Sequence, residues 1–208
     1  MSVRSDPGSI EEIGAALAPA YRTLSRLYFE APNERTVGAI TAWCEAVDDE
    51  GESLPPALED AFGAVRAGAE TDLDRLKGAF TELLQGVGYG PSPAPPYESL
   101  YVDGVLNGPS SSEVEAFYLD SGFELSVDGD LVDHAAFELA FLAGLCEHGE
   151  RTRQLAFIQL HLGEWLPEFH ESATEFEVPA FYEGVFELTE AVMDLHVESL
   201  REEGISID

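Results

Sequence analysis

One segment restricts the fold more than any other. From Leu131 to Cys146 the chain reads LVDHAAFELAFLAGLC, and Leu139, Phe141, Leu142, Leu145 and Cys146 continue an apolar run onto nearly every side of a helix. A surface helix keeps one apolar stripe, so a helix apolar all round has to be surrounded by other helices. Asp133, His134 and Glu138 nevertheless fall within its first two turns. His134 and Glu138 are four residues apart and share a face, with Asp133 beside them near the N-terminal end. Burying such groups is costly unless they are paired or used, so this stretch is the first place to look for function.

The surrounding helices are legible from apolar spacing. Ser9-Ile-Glu-Glu12 has the pattern of a capping box, and Ile13, Leu17, Tyr21, Leu24, Leu27 and Tyr28 follow until Pro32, predicting a helix over residues 10–30. A second helix carries Val37, Ile40, Trp43 and Val47 and ends in the turn Asp48-Asp-Glu-Gly51. Leu58, Phe62 and Val65 mark a third, and Thr71-Asp-Leu-Asp74 opens a fourth with Leu73, Leu76, Phe80, Leu83 and Leu84. The stretch from Gly86 to Pro96 cannot sustain a helix and reads as a long loop. A short element then covers 98–105, followed by a helix capped by Ser110–Ser112, a turn at Asp128-Gly-Asp130, the Asp133 helix and a run over 152–162. A bend at Trp165-Leu-Pro167 and a last helix over 179–201, with Pro179 in its first turn, complete the chain. Phe123 to Val127 alternates briefly, but five residues without a partner do not make a sheet. The expectation is one all-α domain over residues 1–208, a single compact bundle of about eight or nine helices.

Charge narrows the function. The chain has 41 acidic residues against 10 basic ones, a net charge of −31, and Lys77 is its sole lysine. The acidic residues are spread along the whole sequence through to Asp208 rather than forming a tail, which predicts a surface adapted to very high salt and hence a halophilic source. At molar salt the Debye length is about 3 Å, so a cationic ligand has to be held by close contact. Without a Lys/Arg cluster to neutralise phosphates, nucleic acid is not expected as a partner. The N-terminus has no apolar core of a signal sequence and no apolar run is long enough to cross a bilayer, which predicts a cytoplasmic protein without stable membrane insertion. Cys44 and Cys146 form no CxxC pair and read as free core thiols.

Asp133, His134 and Glu138 with His148, His161 or His170 do not reproduce the spacing of a metal motif. Gly86 to Gly90 lacks the Lys-Ser/Thr of a phosphate loop, and there is no GxSxG elbow. Taken alone, the segment reads locally: Asp133 caps the helix, His134 hydrogen-bonds in the core, and Glu138 reaches solvent.

Five segments in order change that reading. Tyr21-Arg-Thr-Leu-Ser-Arg-Leu-Tyr28, Pro95-Pro-Tyr-Glu-Ser-Leu-Tyr101, Asp133-His134 with Glu138, the run from Phe157 through His161-Leu and Trp165-Leu-Pro to Phe169, and Pro179-Ala-Phe-Tyr182 resemble the TorD/DmsD/NarJ family of redox-enzyme assembly chaperones. The middle segment is similar to the family's E-P-D-H-x-x-x-E helix, except that Leu131-Val132 replace Glu-Pro, so no role transfers from that Glu.

The resemblance implies binding without catalysis and without a cofactor of its own. The implied partner is an apo molybdopterin-dependent oxidoreductase of the dimethyl-sulfoxide-reductase type, bound through its twin-arginine signal peptide and held during cofactor insertion before export. A NarJ-like assembly role for a nitrate-reductase-type enzyme, or small-molecule or nucleotide binding, are the alternatives, and a domain-swapped homodimer is compatible with the long loop. Two arginine forks followed by an apolar stretch call for carboxylates beside an apolar groove. Asp133 and Glu138 are the implied carboxylates, with His134 orienting them, Tyr97, Tyr101 and Trp165 as apolar walls, and Glu98 beside them.

Overall fold

The computed structural model describes residues 10–49, 54–86, 93–123 and 132–207. Its helices are α1 (Ile10–Phe29), α2 (Glu34–Asp49), α3 (Pro56–Gly68), α4 (Leu73–Leu83), α5 (Glu98–Val102), α6 (Pro109–Asp120), α7 (Ala135–His148), α8 (Arg151–Phe157), α9 (Gly163–Thr174) and α10 (Ala180–Glu202). A π turn over Ile158–Leu162 joins α8 to α9 without a break, so the described residues hold nine continuous helices. No strand forms among them; Tyr97 and His134 make a single antiparallel bridge. The fold is the expected all-α bundle. Ser9, the turn residues 50–51, the loop residues 87–92, the alternating residues 124–127, the 128–130 turn and Leu131 lie outside the described residues.

The helix α7 occupies the centre, with Leu139, Leu142, Ala143 and Leu145 fully buried and Phe141 nearly so. It packs most extensively on α1, whose Tyr21 and Leu24 are fully buried. Gly149, in the left-handed region at φ 69°, ends it: the Gly149 and Glu150 amides turn back to Cys146 and Leu145 carbonyls. Cys44 is buried and Cys146 half-buried, both as free thiols.

Two relays of polar side chains, all buried except the half-exposed Glu190, tie α1 to the C-terminal helices. His196 Nε2 donates to Gln154 Oε1, because the Gln154 amide nitrogen is already committed to the Leu145 carbonyl. His196 Nδ1 therefore accepts the Tyr21 hydroxyl at 3.0 Å. Burial pushes the His196 pKa down to about 4, in keeping with this neutral ring. In the second relay Tyr28 meets His170 Nε2 at 2.7 Å, and His170 Nδ1 meets Glu190 at 2.5 Å.

Several local expectations are corrected. The helix α6 is entered through Gly108 and Pro109, so Ser110 and Ser111 lie within its first turn; Asp103 accepts from the Ser110 amide and hydroxyl. Pro179 is the residue before α10 rather than part of its first turn. The chain does not break at Trp165–Pro167: Pro167 sits inside α9, and the irregularity lies earlier, in the π turn. There the Gly163 amide reaches back five residues to the Ile158 carbonyl, and a Cβ on Gly163 would stand 2.7 Å from that oxygen.

The antiparallel seam between α3 and α10 depends on two reciprocal glycines. A Cβ on Gly68 would stand 2.1 Å from the Phe181 nitrogen, and one on Gly184 would stand 2.6 Å from the Val65 nitrogen. Neither obstruction is a side chain that can swing away. Gly68→Ala and Gly184→Ala should each lower unfolding stability by about 1–3 kcal/mol in urea titrations. Gly38→Ala, in α2 with open space around it, should raise it by up to about 1 kcal/mol.

Candidate functional site

Asp133, expected from the sequence to cap α7, does not do so. The chain reaches His134 in an extended conformation, and His134 is the cap: its Nδ1 accepts the Ala136 amide at 3.1 Å, as Ser or Asp would at this position. Desolvation pushes the His134 pKa down to about 4, against the smaller opposing effect of Asp133, so the ring is the neutral acceptor that capping requires.

Asp133 is therefore free to serve a different helix. Its Oδ2 accepts the Ser99 amide at 2.9 Å, its Oδ1 the Ser111 hydroxyl at 3.0 Å, and its backbone carbonyl the Glu98 amide at 2.9 Å. The preceding Tyr97 offers α5 no side-chain cap, so Asp133 supplies it from 34 residues away. A five-residue helix has no stability of its own, and these bonds hold it. The debt is mutual, since the Ala135 amide at the start of α7 donates to the Pro96 carbonyl. Ser99 extends the network by accepting the Asn107 amide at 3.0 Å, and Val132 accepts the Tyr118 hydroxyl at 3.1 Å.

Below this junction lie two more carboxylates. Glu98 Oε1 and Oε2 are each 3.1 Å from His161 Nδ1 in the π turn. Glu138, expected to reach solvent, is fully buried: its Oε2 accepts the Trp165 indole N–H at 3.3 Å, and its Oε1 has no protein partner. Burial raises the Glu138 pKa well above its ordinary value, and the nearby Glu98 adds to the effect. The Glu98 pKa is raised too, by burial that outweighs the opposing pull of His161. Trp165, fully buried, stacks on Tyr101 with ring centroids 5.7 Å apart, and the Tyr101 hydroxyl donates to the Ala94 carbonyl.

All seven residues singled out from the sequence thus converge on the junction of α5, α7 and α9, at different depths. Asp133, Glu98, Glu138 and Trp165 are buried and engaged, whereas Tyr97 and Tyr101 are half-buried. On the outer side Tyr97 meets the His134 ring edge-on at 4.8 Å, and both border a cavity of about 280 Å³. Phe29, Phe80, Leu84, Pro95 and Phe137 supply its apolar walls. Phe29 is 47% exposed, a high value for an aromatic ring.

Sequence reading missed Ser99, Ser111 and the contribution of His161 to the network, and Phe29 and Phe137 in the groove. Ser99 and His161 stood within segments already singled out. Nothing in the helical pattern distinguishes Phe29 from a core residue. Among the described residues no group of three His, Cys, Asp or Glu side chains is arranged to hold a metal ion.

The buried Glu138 gives stability a pH dependence of known sign. Its folded pKa lies above its unfolded one, so the folded chain retains a proton that the unfolded chain releases, and its contribution falls as pH rises above about 4.5. Glu138→Gln removes this slope. In urea unfolding at about pH 5 and about pH 8, the variant should gain on the parent at the higher pH. Equal differences at both pH values would show that Glu138 folds as a carboxylate.

Comparison with known proteins bears on what such a junction is for. Residues 44–171 match the family described as nitrate reductase delta subunit. The chaperone protein TorD of Vibrio parahaemolyticus is 35% identical over 159 residues, 67% of this chain and 71% of that protein. The chaperone protein TorD of Shewanella pealeana is 30% identical over 131 residues, 58% of each chain. A crystal structure from Archaeoglobus fulgidus, described as a redox enzyme maturation protein, superposes with a TM-score of 0.56 at 19% identity, covering 91% of this chain and 97% of its own. That likeness extends to the fold. With more than half its length matched and a relative of this identity, the chain belongs to the nitrate reductase delta subunit family, which includes the TorD chaperones.

Proposed function

We propose that this protein is a non-catalytic chaperone of redox-enzyme maturation. It binds the N-terminal segment of a molybdopterin-dependent oxidoreductase, a twin-arginine signal peptide in exported clients, and holds the enzyme while its cofactor is inserted. Membership of a family whose relatives are named chaperones carries this reading. No helix among the described residues is long and apolar enough to cross a membrane, which agrees with a chaperone acting on its client before export.

The groove between α1, α4 and the start of α7 supports the peptide-binding part. An apolar stretch of client can lie against Phe29, Phe137, Leu84 and Tyr97, with His134 at its floor. His134, held neutral, has Nδ1 committed to the α7 cap and is suited to contact uncharged peptide. The carboxylates Asp133, Glu98 and Glu138 then act from beneath, fixing the positions of Tyr97 and His134, with Tyr101 and Trp165 packed as their support. Recognition of guanidinium groups falls to carboxylates at the surface of a chain with net charge −31. In strong salt such contacts have to be short and bidentate.

Calorimetry at molar salt with a client signal peptide, and with its Lys-Lys counterpart, tests both halves. Tyr97→Ala and Phe137→Glu should each weaken binding of the Arg-Arg peptide about tenfold, about 1.4 kcal/mol, without loss of helical signal. Unchanged affinity in both variants would remove the groove from the binding surface. Asp133→Asn should lower thermal stability as well as affinity, because it acts on the peptide through the position of α5.

A further inference from the structure

The α7 cap leaves one ring nitrogen of His134 unused. Because Nδ1 accepts the Ala136 amide, it carries no proton, and the single proton of the ring sits on Nε2. Among the described residues nothing accepts from that N–H, although His134 is only 6% exposed. The Asp133 oxygens, next in the chain, are committed to Ser99 and Ser111. Around the imidazole stand the rings of Phe29, Tyr97 and Phe137, with centroids 6.3, 4.8 and 6.0 Å away, and a ring face is at most a weak acceptor. Nor is Nε2 sealed in. Among the described residues the one buried side-chain polar atom cut off from both partner and open space is Glu138 Oε1. The unbonded Nε2 therefore opens on free space, and the space His134 borders is the cavity of about 280 Å³.

The rest of the lining decides what this donor can meet. No charged side chain borders the cavity, in a chain where 25% of residues are charged. An anionic acceptor would lose its hydration there without a counter-charge, which costs more than one hydrogen bond returns. A hydroxyl or a primary amide would bring donors of its own. Tyr28, the buried hydroxyl on the lining, is already engaged with His170 and Thr189, and the Gln85 amide is exposed. A carbonyl oxygen needs a donor and brings none. In a trans peptide the N–H points away from the C=O, so a main-chain carbonyl can enter the cavity while its N–H faces out.

We propose that the cavity selects a main-chain carbonyl beside a large apolar side chain, the His134 Nε2–H donating to the oxygen while the aromatic walls take the side chain. Such selectivity rests on the peptide-binding role of the groove, to which it adds the polarity and direction of one contact. The cap on α7 thus fixes which hydrogen-bonding group of a client is accepted.

The test titrates the full chain in molar salt with two probes of one shape, acetophenone and α-methylstyrene, in which a CH2 group replaces the carbonyl oxygen. Acetophenone should bind at least about fivefold more tightly. It alone should move the nitrogen-15 resonance of His134 Nε2, whose chemical shift should mark a protonated nitrogen. His134→Asn separates this contact from the cap, since the asparagine oxygen, like Nδ1, is bonded to Cγ and can accept the Ala136 amide, while nothing replaces Nε2. This variant should keep its helical signal and bind both probes equally. N-methylbenzamide, a secondary amide like the main chain, should bind more tightly than benzamide, a primary amide like an Asn or Gln side chain. Equal affinity of the parent for the first two probes, a proton on Nδ1, a preference retained in His134→Asn, or the reverse order of the two amides would overturn the selection, whether or not a client peptide binds. A client signal peptide should displace acetophenone. Peptide binding that leaves acetophenone in place would remove the groove as the peptide's site while the carbonyl preference stands.

Discussion

Everything at the candidate site hangs on one carboxylate. Asp133 bonds to an amide of α5 and a hydroxyl of α6 while its own carbonyl accepts a second α5 amide, so three segments distant in sequence share one anchor. A buried carboxylate that accepts bonds at both oxygens and is surrounded by committed donors is a rigid element rather than a reactive one. Rigidity here reaches outward. Fixing α5 fixes Tyr97, and fixing the residue before α7 fixes His134, so the two rings that face the groove inherit their positions from a group no ligand touches.

The buried polar groups divide into two economies. The relays Tyr21–His196–Gln154 and Tyr28–His170–Glu190 satisfy their members in full and join α1 to the C-terminal helices across the core. The trio of Asp133, Glu98 and Glu138 is less complete, since one Glu138 oxygen has no protein partner. Three carboxylates in one interior region cannot all ionise cheaply, and the raised pKa of two of them is the physical outcome. The other Glu138 oxygen accepts the indole N–H of the tryptophan that stacks on Tyr101, so this incompletely satisfied carboxylate adjoins the stacked aromatic pair of the site.

Much of the architecture was legible from apolar spacing, because a helix apolar all round has few solutions other than a central one. The starts of α4 and α10 follow from the Asp72 cap and from Pro179, which act locally. What escaped was whatever depended on a partner far away in the chain. By sequence Asp133 is the better cap of the two, and only the nearness of α5 decides that histidine caps α7 while aspartate leaves it. Likewise Pro167 reads as a break, yet the helix absorbs it, and a glycine four residues earlier marks the real irregularity. For the site, the right residues were visible as motifs, but their depths were not: a charged residue within an apolar helix reads the same whether it faces a ligand or a tryptophan.

The π turn has a consequence for how the C-terminal half can vary. A wide turn holds one residue more than the α-helix would, and each residue in a helix advances the side chains by about 100°. The segment before it and the segment after it are therefore out of phase by that angle, and Leu160, 57% exposed, sits where the phase changes. His161 faces Glu98 at the site while His170 faces Tyr28 across the core, on what is covalently one helix. Length, and not only identity, is thus encoded between Ile158 and Gly163: removing a single residue there would straighten the helix and turn Trp165, Phe169 and His170 away from their partners together.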